Sequence, residues 1–446
     1  MYVNTGLVYI DSICKESPCI KGTVPCFRCS NVLGLANREL LTDGLVCINC
    51  TDRGSFQRRT NNDVFEIIDR MVLLEDEDTL KVHEQTNGMV CNPRGLLLNF
   101  SLRDRGILQP LDNYLRDWMH TFVSGGQANT HTALLVHALK QELHIKHADI
   151  STFIQGFNLP HKHGKVSAEW IHKNRFKTKD RAAFASYASV MLSLVPLVNA
   201  FFIDVVQSSG AAETFEPHIV CYGLLASILA LLQRVDVAPS CVDHLVQLID
   251  EYGRQFIALY DRAKSKFHDM YHIHEGIVRF GRVLSCFVTE RKHRQTKKAA
   301  LHVFRHLEKT VLTDMINRMC ESFRNDECLF QPSYLLMSKS ADILGRALKY
   351  SHKAVLHCGL LVKGDIVFAT YPASVIVGVV KGFWQCNDAI VVHVDTLSPM
   401  NPGHDITLWS DRAPVAMFVQ AAAIVDAVPW RRHAPQVVRI IAPYFS

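Results

Sequence analysis

Asp117, in the stretch LRDWMHTFVSGG at 115–126, stands between Leu115 and Trp118, with a histidine three positions on and a glycine pair at the end. A carboxylate withdrawn from water is costly unless it is paired, hydrogen-bonded or bound to a metal. Asp117 is therefore a candidate for chemistry if partners exist. A second acid, Glu290, closes a mostly apolar run and is followed by RKHRQTKK at 291–298. On a helix over 288–308, Glu290, His293, Arg294 and Lys297 share one face. Two readings stay open. Glu290 and Arg294 form a solvated ion pair, or Glu290 joins Asp117 on a hard divalent cation while Arg291, Lys292, Arg294, Lys297 and Lys298 face phosphates.

The strongest spacing signal is in PCFRCSNVLGLANRELLTDGLVCINC: Cys26-x-x-Cys29, seventeen intervening residues, then Cys47-x-x-Cys50. Two thiolate pairs on tight turns can close a tetrahedron around zinc and stabilise a loop-rich element that has little core of its own. Cys14 and Cys19 are spare candidates. The histidine pairs His161/His163 and His272/His274 have two-residue spacing and no obvious further ligands, so they read as loop or core histidines.

These residues need elements to position them. The chain has 446 residues, 48% of them hydrophobic, enough for two or three domains. A short strand candidate at Leu7–Ile10 precedes the cysteines. Helical spacing recurs over 63–74 and 130–145, and the Pro93–Gly95 turn before the apolar run Leu96–Phe100 predicts a strand or strand pair. Residues 180–325 read as almost continuous helix. From about 355, Val- and Ile-rich segments broken at Gly364–Asp365 and Asn387–Asp388 predict a small all-β domain. Its partner is unknown: it could bind a peptide or nucleic acid, or act as an inert cap.

Lys and Arg number 48 against 43 Asp and Glu, a net charge of +5 that permits nucleic-acid binding without requiring it. The start MYVNTGLVYIDSICKESP lacks a basic region leading into an apolar one, so the fourteen cysteines are expected in a reducing compartment. The apolar stretches 190–206 and 221–232 are interrupted or short, and read as buried helices rather than membrane spans.

Four phrases in order, IKGTVPCFRCSNV, RTNNDVFEIIDRM, LRDWMHTFVSGG and KFHDMYHIHEGIVRFGRVLSCFVTERKHRQTKK, resemble transposase-like proteins related to the CACTA-type cut-and-paste transposases, from about residue 7 to about 325. The resemblance implies an RNase H-like core of the acidic-triad kind, with a helical insertion between its second and third acids. It implies Asp117 and Glu290 as two acids and Asp11 as candidate for the first, with His120 orienting Asp117 or contacting the scissile strand; a structural His120 stays open. Mg²⁺ or Mn²⁺ would be the catalytic cofactor and zinc the structural one. Sequences of this kind carry more chain ahead of this point, so N-terminal truncation is expected.

The expected architecture is α/β with a large all-α insertion: a zinc element and core strand at 1–60, part of the core at 61–179, the helical insertion at 180–285, a catalytic and basic helix with a helical tail at 286–350, and a β-barrel-like domain at 355–446. The expected function is cleavage and strand transfer on double-stranded DNA, by a nuclear protein that could form homo-oligomers and has no membrane partner. The basic run also suits nuclear entry. The alternative is a catalytically inactive, domesticated or degenerate nucleic-acid-binding protein that keeps the zinc site. A weaker third option is a zinc-stapled interaction scaffold.

Overall fold

The computed structural model describes residues 26–31, 51–176, 184–287 and 348–441, short breaks aside, with isolated residues between 309 and 336. The chain is mixed helix and sheet, with a helical region and a C-terminal β region. It divides into two compact units: 1–143, 176–192 and 207–289 form the first, and 144–175, 193–206 and 290–446 the second.

The first unit is helical, and among its described residues there is no sheet. Its helix Asn61–Val72 starts at a capping box: the Thr60 hydroxyl accepts from Asp63 N at 3.2 Å while Thr60 N donates to the Asp63 carboxylate at 2.6 Å. Val64, Ile68 and Met71 on one face meet Met89, Leu97, Leu108, Leu111 and Tyr114 in a small core. The run expected as strand at 96–100 is instead a 3-10 turn, Leu96–Leu98, leading into a short helix, Phe100–Asp104. Asn99 explains the difference, because its side chain caps the helix by accepting from Leu102 N at 3.2 Å. Period alone does not separate three leucines in a strand from three in a tight helix.

The long helices Gln127–Glu142, Ala212–Leu232 and Pro239–Tyr260 belong to the same unit. Fully buried His131 is enclosed by the rings of Tyr222, Tyr252, Phe256 and Tyr260 at centroid distances of 5.0, 5.7, 5.1 and 5.3 Å, and its Nδ1 lies 3.2 Å from the Tyr252 hydroxyl. Segments Ala188–Val206 and Glu213–Leu232 are long and apolar enough to cross a membrane by length and composition. Each is 61% buried within the protein, as core helices are.

Besides the two-residue strands Leu335–Leu336 and Ser398–Pro399, the strands described in the second unit are β1 (Leu348–Ser351), β2 (Lys353–Leu356), β3 (Gly359–Val362), β4 (Ile366–Tyr371), β5 (Ser374–Cys386), β6 (Ala389–Thr396), β7 (Ile406–Ser410), β8 (Ala416–Gln420), β9 (Ile424–Ala427), β10 (Trp430–Ala434) and β11 (Val437–Ile441). The main antiparallel sheet runs β8-β6-β5-β4-β9, with β1 also on β5; a second runs β10-β11-β7. Strand β4 is apolar on both faces for a reason: Val367 and Ala369 enter one core with Phe383 and Val392, and Ile366 and Phe368 enter another with Val438 and Ile440. The turn expected at Gly364–Asp365 is present. Gly364 has φ +98°, and the Asp365 carboxylate accepts from Val362 N at 2.9 Å.

Asp204, its side chain 7% exposed, takes Arg431 at 3.0 Å and also Arg439, while the Arg431 guanidinium lies over Phe153 and Phe157 at 4.5 and 4.8 Å. Asp204→Ala would leave two largely buried guanidinium groups without their carboxylate, and is expected to cost about 3–5 kcal/mol, read as a lowered denaturant midpoint. A second expectation concerns pH. Burial first, then the charge of His218, holds His131 well below its ordinary value of 6.5, so the fold keeps a neutral ring where the unfolded chain takes up a proton. Stability should fall as pH drops below 6.5, by up to about 1.4 kcal/mol per pH unit for this group. Denaturation in wild type and His131→Leu across that range checks it: the variant's profile should be flatter.

Candidate metal centre

Cys26 and Cys29 lie on a knuckle docked against 55–59. Arg28 N donates to Cys26 Sγ at 3.3 Å, Cys29 forms an antiparallel bridge with Arg58, and Ser30 N and Arg59 N donate to Gln57 O and Arg28 O at 3.0 and 2.8 Å. Asn31 closes the contact by donating to Ser55 O and accepting from Gln57 N, both at 2.8 Å. The other half of the centre comes from far along the chain. His268 lies in the helical turn Ser265–Asp269 and His272 ends the 3-10 turn Met270–His272, four residues later. That is one helical turn, so both rings point the same way.

The four ligand atoms, all on buried residues, lie within 4.8 Å of one another. Cys26 Sγ is 3.3 Å and Cys29 Sγ 3.6 Å from His272 Nε2, which is 3.1 Å from His268 Nε2. A tetrahedral zinc with bonds of about 2.3 Å to sulfur and 2.0–2.1 Å to nitrogen requires S···N edges of about 3.6 Å and N···N edges of about 3.3 Å. The donor set and spacing therefore fit a zinc-type ion. Two facing imidazole nitrogens and two buried sulfurs are otherwise an expensive group to enclose.

Surrounding charges suit that use. Glu275 accepts from His272 Nδ1 at 2.8 Å, leaving Nε2 to the centre, and is held in turn by Arg28 at 2.8 Å and Arg58 at 2.7 Å. Burial pushes the Glu275 carboxyl up, but His272 and the two arginines prevail and bring it down to about 2. For the Cys26 thiol, burial is opposed and overcome by the Cys29 hydrogen bond and the two histidines, which hold it well below its usual range; Cys29 is raised, by its hydrogen bond to Cys26 and by burial. A metal bound here would displace thiol protons.

Asp117 belongs to the same unit. Its Oδ1 accepts from Met119 N at 3.2 Å and Cys286 N at 2.9 Å; its Oδ2 accepts from His120 N at 3.1 Å and from the His120 ring. Burial raises the carboxyl, but the His120 side chain and the Cys286 and His120 amides outweigh it and leave its pKa lowered. The apolar setting is thus made tolerable by hydrogen bonds. The buried Arg116–Asp269 pair at 2.8 Å ties Asp117 to the His268 turn through their chain neighbours. The glycine pair is steric: a Cβ on Gly126 would come within 2.2 Å of Thr121 O, and Gly125 has φ +60°.

Asp117, His120 and Cys286 form a second group of ligand atoms within 4.8 Å. Here the fit to a hard cation is narrower, since each carboxylate oxygen already takes two donors. Of the four, only the His120 ring, with its side chain 36% exposed, can rotate away, which opens one position on Oδ2. Asp11, Cys47, Cys50, Glu290, Arg291, Lys292, Arg294, Lys297 and Lys298 lie outside the described residues. Among the described ones, Cys26 and Cys29 have histidines as partners. His272, expected as a loop or core residue, is at the centre, and His268 was not singled out at all. Its signal was present as His268-x-x-x-His272, the spacing that completes a C-x-x-C pair in a Cys₂His₂ site.

Comparison with family models, curated proteins and solved structures finds no match to this chain.

Purified protein is expected to hold about one zinc per chain at this centre. Glu275→Gln, which keeps the shape and removes the charge, should weaken zinc about 10–100-fold in a competition titration with a chromogenic chelator. Cys26→Ser with His272→Ala should abolish binding.

Proposed function

We propose that this is a transposase-type protein, with Asp117 and Glu290 as acidic ligands for metal-dependent phosphodiester cleavage on double-stranded DNA, the Cys₂His₂ centre as a structural zinc site, and the run 291–298 as a phosphate-facing surface. The observation that carries the reading is the bond from Cys286 N to Asp117. It links residues 169 positions apart at 2.9 Å, and Glu290 follows Cys286 by four positions in the sequence. Phe287 packs on Trp118 at a centroid distance of 5.6 Å and extends the same contact. The RNase H-like core and the first acid, Asp11, rest on the order of sequence motifs.

In this reading Asp117 would hold the ion, with its backbone-bonded Oδ1 fixing the carboxylate plane. His120 would orient that carboxylate. Mg²⁺ or Mn²⁺, when bound, supplies charge stabilisation and an activated water. The basic residues after Glu290 hold the strand by its phosphates.

The four donors on Asp117 favour a second reading, in which the carboxylate is purely structural and the protein binds nucleic acid without cutting it. Strand cleavage with Mg²⁺ or Mn²⁺, run beside salt-dependent binding, decides. The first reading expects cleavage that falls by more than about a hundredfold in Asp117→Asn and in Glu290→Gln, with duplex binding retained in both. Binding without cleavage in the wild type supports the second, and absence of salt-dependent binding removes both.

A further inference from the structure

The solvent face of the main sheet carries a feature that the proposed cutting centre does not use. Tyr350 on β1, Lys381 and Trp384 on β5, His393 and Asp395 on β6, and Lys363 on the turn after β3 line a recess of about 400 Å³, within the size range of small-ligand sites. The register explains the grouping. Tyr350 pairs with Trp384, and Gly382 with His393, so residues two apart on neighbouring strands rise on one side, while Val392 and Val394 go to the core.

The recess is built rather than incidental. The Tyr350 hydroxyl donates to Lys381 O at 3.1 Å and lies 3.1 Å from His352 Nδ1, which fixes the ring. That ring lies directly over Gly382, where an added Cβ would come within 2.4 Å of it. Tyr350 and Trp384 meet at a centroid distance of 4.7 Å, and His393 stacks on the exposed Phe418 at 4.9 Å. Trp384 Nε1 is buried without a hydrogen-bond partner, and His393 Nε2 lies 3.8 Å from the Asp395 carboxylate. An unsatisfied buried donor such as Trp384 Nε1 gains from an added acceptor.

Charge decides what fits. Two lysines face one carboxylate, Asp395, which Lys381 already engages at 2.7 Å. That surplus of positive charge disfavours a quaternary or methylated ammonium, the other usual occupant of aromatic recesses. It suits a planar π-system bearing a phosphate: a ring to stack, an acceptor for Trp384, and an anion for Lys363 and Lys381.

We propose that this face of the β region is a nucleoside-phosphate subsite, in which a base stacks on Tyr350 and Trp384 and its phosphate lies on Lys363 and Lys381. The ligand is a free nucleotide or one link of a single strand, and the experiment separates the two. A short oligothymidylate carrying 5-iododeoxyuridine is photo-crosslinked to the full-length protein, with excess duplex DNA present to occupy the run 291–298, and the adducts are mapped by mass spectrometry. A fluorescein-labelled version reports affinity by anisotropy at several salt concentrations.

Adducts are expected on peptides containing Tyr350 or Trp384. Trp384→Leu should weaken binding about tenfold, corresponding to the loss of one base stack. Lys363→Gln, at an exposed turn position that leaves the fold intact, should lower the salt slope by about 0.7. Displacement by adenosine monophosphate at concentrations similar to the oligomer identifies a nucleotide site, and displacement by oligomer alone a strand site. The proposal is overturned by adducts confined to other regions, by Lys363→Gln and Trp384→Leu proteins that bind as wild type, or by binding of a trimethyl-lysine peptide in place of the oligonucleotide.

Discussion

The helical unit depends on one convergence: two sulfurs from its beginning and two imidazoles from near its end meet in a pocket that excludes water. Four polar atoms in so dry a place would oppose folding if they had only one another. A shared cation reverses the sign, because deprotonated thiols and neutral imidazoles are then the favoured states. The surroundings are arranged to that end. Glu275, itself held by Arg28 and Arg58, fixes the His272 ring, and Arg28 also donates to Leu111 O at 2.7 Å and Tyr114 O at 2.9 Å, so the knuckle is tied to the segment just ahead of Asp117.

Asp117 shows how much structure a single carboxylate organises. Its four donors come from its own turn and from residue 286, and its neighbour Arg116 pairs with the neighbour of a zinc-ligand candidate. The π-helical turn Met119–Val123 follows at once, an irregularity often found at functional positions. Metal centre and acidic residue are thus parts of one polar web inside an otherwise apolar unit.

Much of this was legible in the chain. The helical block was visible in Ala- and Leu-rich runs, the β region in Val- and Ile-rich segments with Gly364–Asp365 as a turn, and half the metal centre in Cys26-x-x-Cys29. The other half was obscured for a physical reason. Two histidines one helical turn apart look like any helix face until something remote is brought opposite them, while Cys47 and Cys50, the pair that local spacing offers, lie outside the described residues. The strand expected at 96–100 failed because a cap at Asn99 outweighed an apolar run, and caps depend on side-chain geometry rather than periodicity. Asp117 was conspicuous as an apolar-set acid, whereas the amide from residue 286 that satisfies it belongs to the tertiary structure alone.

The separation of the two halves of the centre also has a consequence in time. Cys29 and His268 are about 240 residues apart, and a ribosome working at about 5–20 residues per second releases the knuckle roughly 10–50 s before the histidines exist. During that interval both thiols are nascent, unmetallated and open to oxidation or to the wrong ion. Closure of the four-ligand cluster is therefore a late event in synthesis, and a metal held there would be taken up only at that moment.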